Sequence, residues 1–476
     1  MIISSKNLCY RCIGESYLKA EVKREGKGKT CSYCGRKAKS YTIAELSDRV
    51  EEAFNDHYIR TSDQPNSWQI SMLSDKESDY DWERDGEPVV YAIMNACDIP
   101  EKAAVDIQQV LEERHFDIES AKCGEETDFS SDSYYEEKKH DTSYWQEKWN
   151  NFENSLRTEA RFFSRSAVTL LESIFGGIEN LRTHDGRALV AKAGPNTAIS
   201  EVYRARAFQS SDKLKEALKY PDQHIGPPPT EYALAGRMNA HGISVFYGAN
   251  DPLAALAEVR PPVGSRVVVG RFEIVKPIKL LDLTALSTAI ESGSIFDSTL
   301  KNRLERAMFL RKLSQRITIP VMPYEEPFRY LATQAIADFL ATEANFPLDG
   351  IIYPSVQVAD GRLNIALFQK AARVEKIAIP EGTEVEANLG YWDEDYWEHD
   401  FSVIEKTIGD EERNQKKEAE IGSFLIEHHL SGYDSRPVTL RMDVNSLEVH
   451  IIRAVNFSSN VHTVRRHRWQ KREVPF

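Results

Sequence analysis

Two CxxC pairs, Cys9/Cys12 and Cys31/Cys34, stand eighteen residues apart and constrain this chain more than any other feature. Two thiolates separated by two residues can hold one side of a tetrahedral zinc ion. A second such pair completes four-sulfur coordination. Gly14 and Gly35 follow the pairs closely and are expected to allow the tight turns a knuckle needs. The alternatives are four unrelated thiols, or a redox CxxC. A redox pair opens a helix in a strand–helix unit, and here two pairs fall on loops. Cys97 and Cys123 are isolated, and six cysteines in 476 residues do not make a disulfide scaffold. The reading is therefore a closed, structural Zn2+ site ligated by Cys9, Cys12, Cys31 and Cys34. Ten Lys or Arg against three acids surround it in residues 1–40. So short a stretch cannot build a core of its own and needs such a staple. Its positive charge could touch nucleic acid or simply offset the thiolates.

The rest of the chain is different in charge. The balance of 60 Lys+Arg against 74 Asp+Glu gives −14 overall. A wholesale nucleic-acid coat needs a positive field and is not expected, although a local basic site stays open. No apolar run approaches the roughly 18–20 residues of a membrane span. The first residues, MIISSKNLCYRC, lack a charged region followed by a long apolar core, so no secretory signal and a cytoplasmic location are expected. At 41% hydrophobic, a chain of this length can bury several cores in two to four domains.

Residues 46–192 read as helical. Ile43, Leu46, Val50 and Phe54 recur near helical spacing, Pro100 fits the start of a second helix, and LRTEARFFSRSAVTLLESIF reads as a third, ended by Gly176-Gly177. The Ser/Asp/Glu-rich stretch 124–144 reads as a loop. After Gly194-Pro195 short runs rich in Val, Ile, Tyr and Phe alternate with helices, which predicts an α/β or α+β domain over 193–385. ALAGRMNAHG and DPLAALAEVR read as helices within it. Residues 386–476 form a C-terminal extension. Its acidic, aromatic segment 391–400 is expected to be a solvated turn anchored by its aromatics. Residues 410–430 read as a helix, VTLRMDV and LEVHIIRAV as a hairpin turning at Asn445-Ser446, and the last residues as a solvated basic tail.

Candidate chemistry lies in 193–385. Arg204 and Arg206 share one face of the strand VYRARAF by its period of two. Arg237, Asn239, Tyr247 and Glu258 fall within one short stretch, and Ser355 follows Pro354. Singly, each has a bland explanation: a solvent-side arginine, an exposed helical glutamate beside Arg260, a turn serine or asparagine. There is no GxSxG, P-loop or GxGxxG. Together, Tyr203-Arg204, Gly236-Arg237-Met238-Asn239, Gly242, Val245-Phe246-Tyr247, Ala254–Val259 and Tyr353-Pro354-Ser355 resemble the RES domain family, over about residues 195–375. The family takes its name from an Arg, a Glu and a Ser, which here are Arg204, Glu258 and Ser355. The N-terminal layout looks like the HEPN/RES N-terminal extension of longer family members.

The resemblance implies a fold similar to ADP-ribosyltransferase toxins and a toxin or defence effector with NAD+ as substrate. The implied reaction is hydrolysis or phosphorolysis of the nicotinamide–ribose bond, or ADP-ribosyl transfer to a protein or nucleic acid. In that setting Glu258 would stabilise an oxocarbenium-like ribosyl cation, and Arg204 and Arg237 would hold the diphosphate. Tyr247 would meet the nicotinamide ribose, Ser355 would donate one orienting hydrogen bond, and Asn239 would contact ligand or brace its loop. The resemblance also implies an Xre-type antitoxin as partner. A homo-oligomer is left open, as is a non-catalytic adaptor built on the zinc module. Met238 stands where the family often has an aromatic residue, and a long insert with Pro227-Pro228-Pro229 separates Arg204 from Arg237. HEPN ribonucleases use an Arg-x4–6-His pair. Arg157, Arg161 and Arg165 have no histidine at that spacing, so a structural or dimerising role is expected for the helices.

Overall fold

The computed structural model describes residues 3–468 except 76, 160, 162, 323, 359–360, 408–433 and 457–458. It is of mixed α+β type and divides into two compact units, Met1–Leu189 with Thr284–Ile319, and Val190–Leu283 with Pro320–Phe476.

In the first unit β1 (Asn7–Cys9), β2 (Lys27–Thr30) and β3 (Lys37–Thr42) form an antiparallel sheet in the order β1-β3-β2, with helix α1 (Ser16–Glu25) between β1 and β2. This small sheet does not stand alone. Leu8, Cys9, Leu18, Val22 and Cys31 share one buried cluster with Ile43, Leu46, Val50 and Phe54 of α2 (Ile43–His57). Residues of two further helices, α3 (Val89–Cys97) and α4 (Glu101–His115), complete it. Helix α2 starts at a reciprocal capping box between Thr42 and Glu45, which satisfies two otherwise orphaned backbone N–H groups. Pro100 sits at the N-cap of α4.

Two readings of this unit need correction. Stretch 124–144 is not simply a loop: β5 (Tyr134–Glu137) pairs antiparallel with β4 (Tyr58–Arg60), and Phe129 and Tyr135 are buried against Phe54. Two aromatics outweigh a polar composition because each buries so much surface. The third helix is in fact two. Helix α5 (Ser143–Thr158) buries Trp145, Trp149, Phe152 and Leu156, and α6 (Arg165–Phe175) starts afresh where Ser164 Oγ accepts the Ala167 N–H. A serine N-cap competes with helix continuation, and the apolar periodicity of two adjacent helices reads through the break.

The second unit is built on an eight-stranded sheet. Its strands are β6 (Val190–Ala193), β7 (Glu201–Phe208), β8 (Phe246–Ala249), β9 (Arg266–Ile274), β10 (Ile278–Asp282), β11 (Gly350–Pro354), β12 (Leu363–Leu367) and β17 (Leu440–Ile451), in the spatial order β17-β9-β7-β8-β12-β11-β10-β6. All neighbours are antiparallel except β10 and β11. One face carries a large apolar cluster including Val202, Phe246, Phe272, Leu280, Ile352, Ile365 and Leu367. The other is alanine-rich under helix α8 (Pro252–Glu258): Ala205 and Ala249 of the sheet pack with Ala254 and Ala255. Helix α7 (Ser211–Lys219) follows β7, and α9 (Glu326–Asp338) precedes β11.

Between β12 and β17 the chain forms β13 (Glu384–Asn388), β14 (Tyr391–Asp393), β15 (Tyr396–Glu398) and β16 (Ser402–Lys406), paired β13 with β16 and β14 with β15. The aromatics of 391–400 do not anchor the segment: Tyr391, Trp392, Tyr396 and Trp397 are exposed, and the two indoles pack on each other. The expected C-terminal hairpin is instead the single strand β17. Asp443 pairs with Arg271 and Glu448 with Val269, so the intervening residues bulge. Ser446, read as a turn residue, accepts the Arg271 N–H at the bulge. Nor is ALAGRMNAHG a helix. Asn239 donates to the carbonyls of Leu234, Ala240 and Ile243, fastening an irregular loop in place of helical bonds. The helix expected over 410–430 lies outside the described residues. Among the described residues no helix is long and apolar enough to cross a membrane.

Candidate active site and metal centre

The four cysteines meet. Cys9 Sγ lies 3.7 Å from Cys12 Sγ and 3.6 Å from Cys34 Sγ, and Cys12 lies 3.9 Å from Cys31. Tetrahedral Zn–S bonds of about 2.3 Å would separate sulfurs by about 3.8 Å, so the donor set fits a structural zinc. Burial pushes the Cys9 and Cys12 thiols up, whereas the Arg36 backbone N–H first of all brings Cys34 down to about 7. A cation is what would let all four ionise together. Gly35 has φ +71 and supplies a turn that side chains disfavour. Gly14 has a different role from the expected one: a Cβ there would lie 1.6 Å from Asp98 Oδ2, so the glycine permits close approach rather than a turn.

In the second unit, β7 and β8 pair at one register position, Ala249 opposite Tyr203. A cleft of about 110 Å3 opens beside that pair, lined by Arg204, Ala205, Tyr247, Gly248, Ala255, Glu258, Val259 and Tyr353. Strand alternation explains who reaches it. Tyr203, Ala205 and Ala249 belong to the cluster under α8, and Asp251 caps that helix by accepting from the Leu253 and Ala254 N–H groups. The small side chains let α8 lie close, and its last residue, Glu258, arrives over the sheet with its carboxylate exposed. There Glu258 Oε2 accepts from Asn364 Nδ2 at 3.1 Å.

Arg204 projects from the other face. Its guanidinium lies over the Phe246 ring, 5.0 Å from the centroid, and Nη1 donates to the Tyr247 carbonyl at 3.2 Å. Burial, and next the like charge of Arg206, lower its pKa to about 10, which leaves it a cation at neutral pH. Tyr247 is committed: its hydroxyl donates to Asn239 Oδ1 at 2.7 Å and accepts the Met238 N–H at 3.0 Å. Burial raises its pKa strongly. Asn239, 3% exposed, braces the same loop with its amide.

Arg237 and Ser355 do not line the cleft. The Arg237 guanidinium stacks on Tyr330 of α9 at 5.4 Å, and α9 grips the Arg237 loop: Thr333 Oγ1 donates to the Arg237 carbonyl, and Gln334 Nε2 to the carbonyls of Gly236 and Asn239. Ser355 follows β11 and accepts the Gln357 N–H through Oγ at 3.3 Å. Asn364 and the α9 residues Tyr330, Thr333 and Gln334 escaped the sequence reading, and Tyr353 entered it only as part of the family pattern, without a role. Asn364 did leave a signal, as a polar residue inside the apolar run LNIALF. The α9 residues left none, because only the tertiary fold brings them to residues 236–239.

The basic C-terminus is expected to be a solvated tail. Of the C-terminal run, Arg465, Arg466 and Arg468 are exposed, while Lys471 and Arg472 lie outside the described residues. Compared with known families, residues 196–389 match the RES domain. That match does not extend to the N-terminal 195 residues. Neither the curated proteins nor the solved structures contain a match to the chain.

Proposed function

We propose that this chain breaks the nicotinamide–ribose bond of NAD+, with its RES domain as the catalytic part. The observation that carries the reading is that Glu258, Arg204 and Tyr247 all line one cleft inside the segment that matches a family of NAD+-degrading toxins. The cleft is small beside the roughly 300–1,000 Å3 of a full ligand pocket, so it suits one ring-sized part of a dinucleotide.

Loss of nicotinamide leaves positive charge on the ribose C1′ and ring oxygen. Glu258, exposed at the cleft, stabilises that charge and accepts from the 2′-hydroxyl. Arg204, a cation held in a half-buried seat, attracts the diphosphate, and Arg237 extends that positive wall from its place on Tyr330. Tyr247 presents its ring to the cleft, while its hydroxyl and Asn239 keep the 236–239 loop in shape. Ser355 adds an orienting hydrogen bond from the turn after β11. Zinc held by Cys9, Cys12, Cys31 and Cys34 in the first unit would serve a structural purpose. An enzyme that consumes NAD+ must be restrained in its cell, and an Xre-type antitoxin or the chain's own N-terminal region would do so.

The test is NAD+ consumption by the purified chain in phosphate and in phosphate-free buffer, with products weighed, beside Glu258→Ala. Nicotinamide with ADP-ribose, or with its phosphate adduct, is expected from the wild type. Glu258→Ala should lower turnover at least about 100-fold, in line with loss of a main electrostatic stabiliser, while keeping its Tm. No nicotinamide release by the wild type under any of these conditions, with protein or nucleic-acid acceptors added, would overturn the reading.

A further inference from the structure

Asn364 is an unusual residue for its position. It lies mid-strand in β12, 1% exposed, between β8 and β11, paired with Ala249 on one side and Tyr353 on the other. Ala366, the next residue on the same face of the strand, is fully buried as well. A valine or leucine would suit such a site better on packing grounds. The amide also pays for its place: Nδ2 donates to Glu258 Oε2 at 3.1 Å, but Oδ1 is buried with no hydrogen-bond partner. A buried polar group left half-satisfied weakens the fold, and such groups in folded proteins call for a specific reason. The reason visible here is the carboxylate. Glu258 sits exposed at the end of a seven-residue helix, where a glutamate samples several rotamers unless something holds it. Asn364 is rigid by comparison, because its backbone is fixed in the middle of the sheet.

We infer that Asn364 is a positioning residue: its amide holds the Glu258 carboxylate at the cleft in the orientation the ribosyl cation requires, at a cost to the stability of the strand. This rests on the NAD+ reading of the cleft and adds a role to a residue that does not itself touch the reacting atoms. A purely structural asparagine makes the opposite forecast, since removing it would harm the fold and leave each folded molecule fully active.

The experiment compares the full chain with Asn364→Leu, Asn364→Asp and Glu258→Ala. Asn364→Leu removes the donor at nearly constant volume. It should keep or raise Tm and lower kcat roughly 10–100-fold, the scale of a misplaced catalytic group, with KM for NAD+ little changed. In Asn364→Asp the new carboxyl can donate to Glu258 only when protonated, so activity should recover as pH falls, relative to wild type. An Asn364→Leu chain with lower Tm and unchanged kcat would overturn the inference. A further readout needs no turnover: the Asn364 side-chain amide NMR signals should move on Glu258→Ala. Unmoved signals would also overturn it, whereas absent wild-type turnover with moved signals would count against the NAD+ reading alone.

Discussion

Tyr247 shows how a single side chain can be chemically engaged without being free to react. Its hydroxyl joins Met238 N–H to Asn239 Oδ1, and both partners are almost fully buried, at 2% and 3% exposure. Tyr247→Phe would strand one donor and one acceptor away from water. That should cost about 1–3 kcal/mol and lower Tm by several degrees, with NAD+ turnover falling as the 236–239 loop loosens. An unchanged Tm would mean the hydroxyl does not brace that loop. Arg204, Tyr247 and Glu258 could be picked out in the sequence because a family pattern carried them. Asn364 was harder, since its importance comes from cross-strand register. Ala249, Asn364 and Tyr353 form one row across three strands, of which β8 lies far before the other two in sequence.

The elements divide by how local their determinants are. Helix α2 could be read from its apolar stripe, which agrees with its buried face, while its Thr42–Glu45 cap came only with the structure. The α5–α6 break was hidden because one serine cap decides it against a periodicity that runs on. The three-stranded cysteine sheet is legible as chemistry but not as an independent element, since Cys9 and Cys31 lie in the same core as α2, α3 and α4. Its metal should therefore stabilise more than the knuckle. The purified chain should carry one zinc by mass spectrometry. Chelation, or Cys31→Ser, should lower the Tm of the first unit by several degrees, because metal-binding free energy is folding free energy. A chelated sample with the same Tm as the zinc-loaded chain would sink this expectation.

For the molecule as a whole, the sheet of the second unit is larger than the family match. The match spans 196–389, yet β6 at 190–193 and β17 at 440–451 form the two outer strands. Strand β17 brings Leu440 and Met442 into the core and covers β9 along its length. Burying two such side chains contributes about 1.5–3 kcal/mol each, and an uncovered β9 would present an open edge for association. Truncation after residue 436 should thus give a chain that aggregates or fails to unfold cooperatively in size-exclusion and thermal assays. A truncated chain as soluble and as cooperative as the full one would show that β17 is dispensable.

By itself, the sequence determined what short-range physics and residue chemistry decide. The four thiols and their spacing fit a metal knuckle, the 3.6- and 2-residue periodicities specify most helices and strands, and NAD+ chemistry is implied only through the resemblance to the RES domain. Only the tertiary structure decided which distant segments share a surface. It turned an expected hairpin into a sheet edge, tied α9 to the Arg237 loop, and set Asn364 beneath Glu258. The reason is that strand pairing and side-chain burial are settled by neighbours that are far away along the chain, and no local pattern carries their addresses.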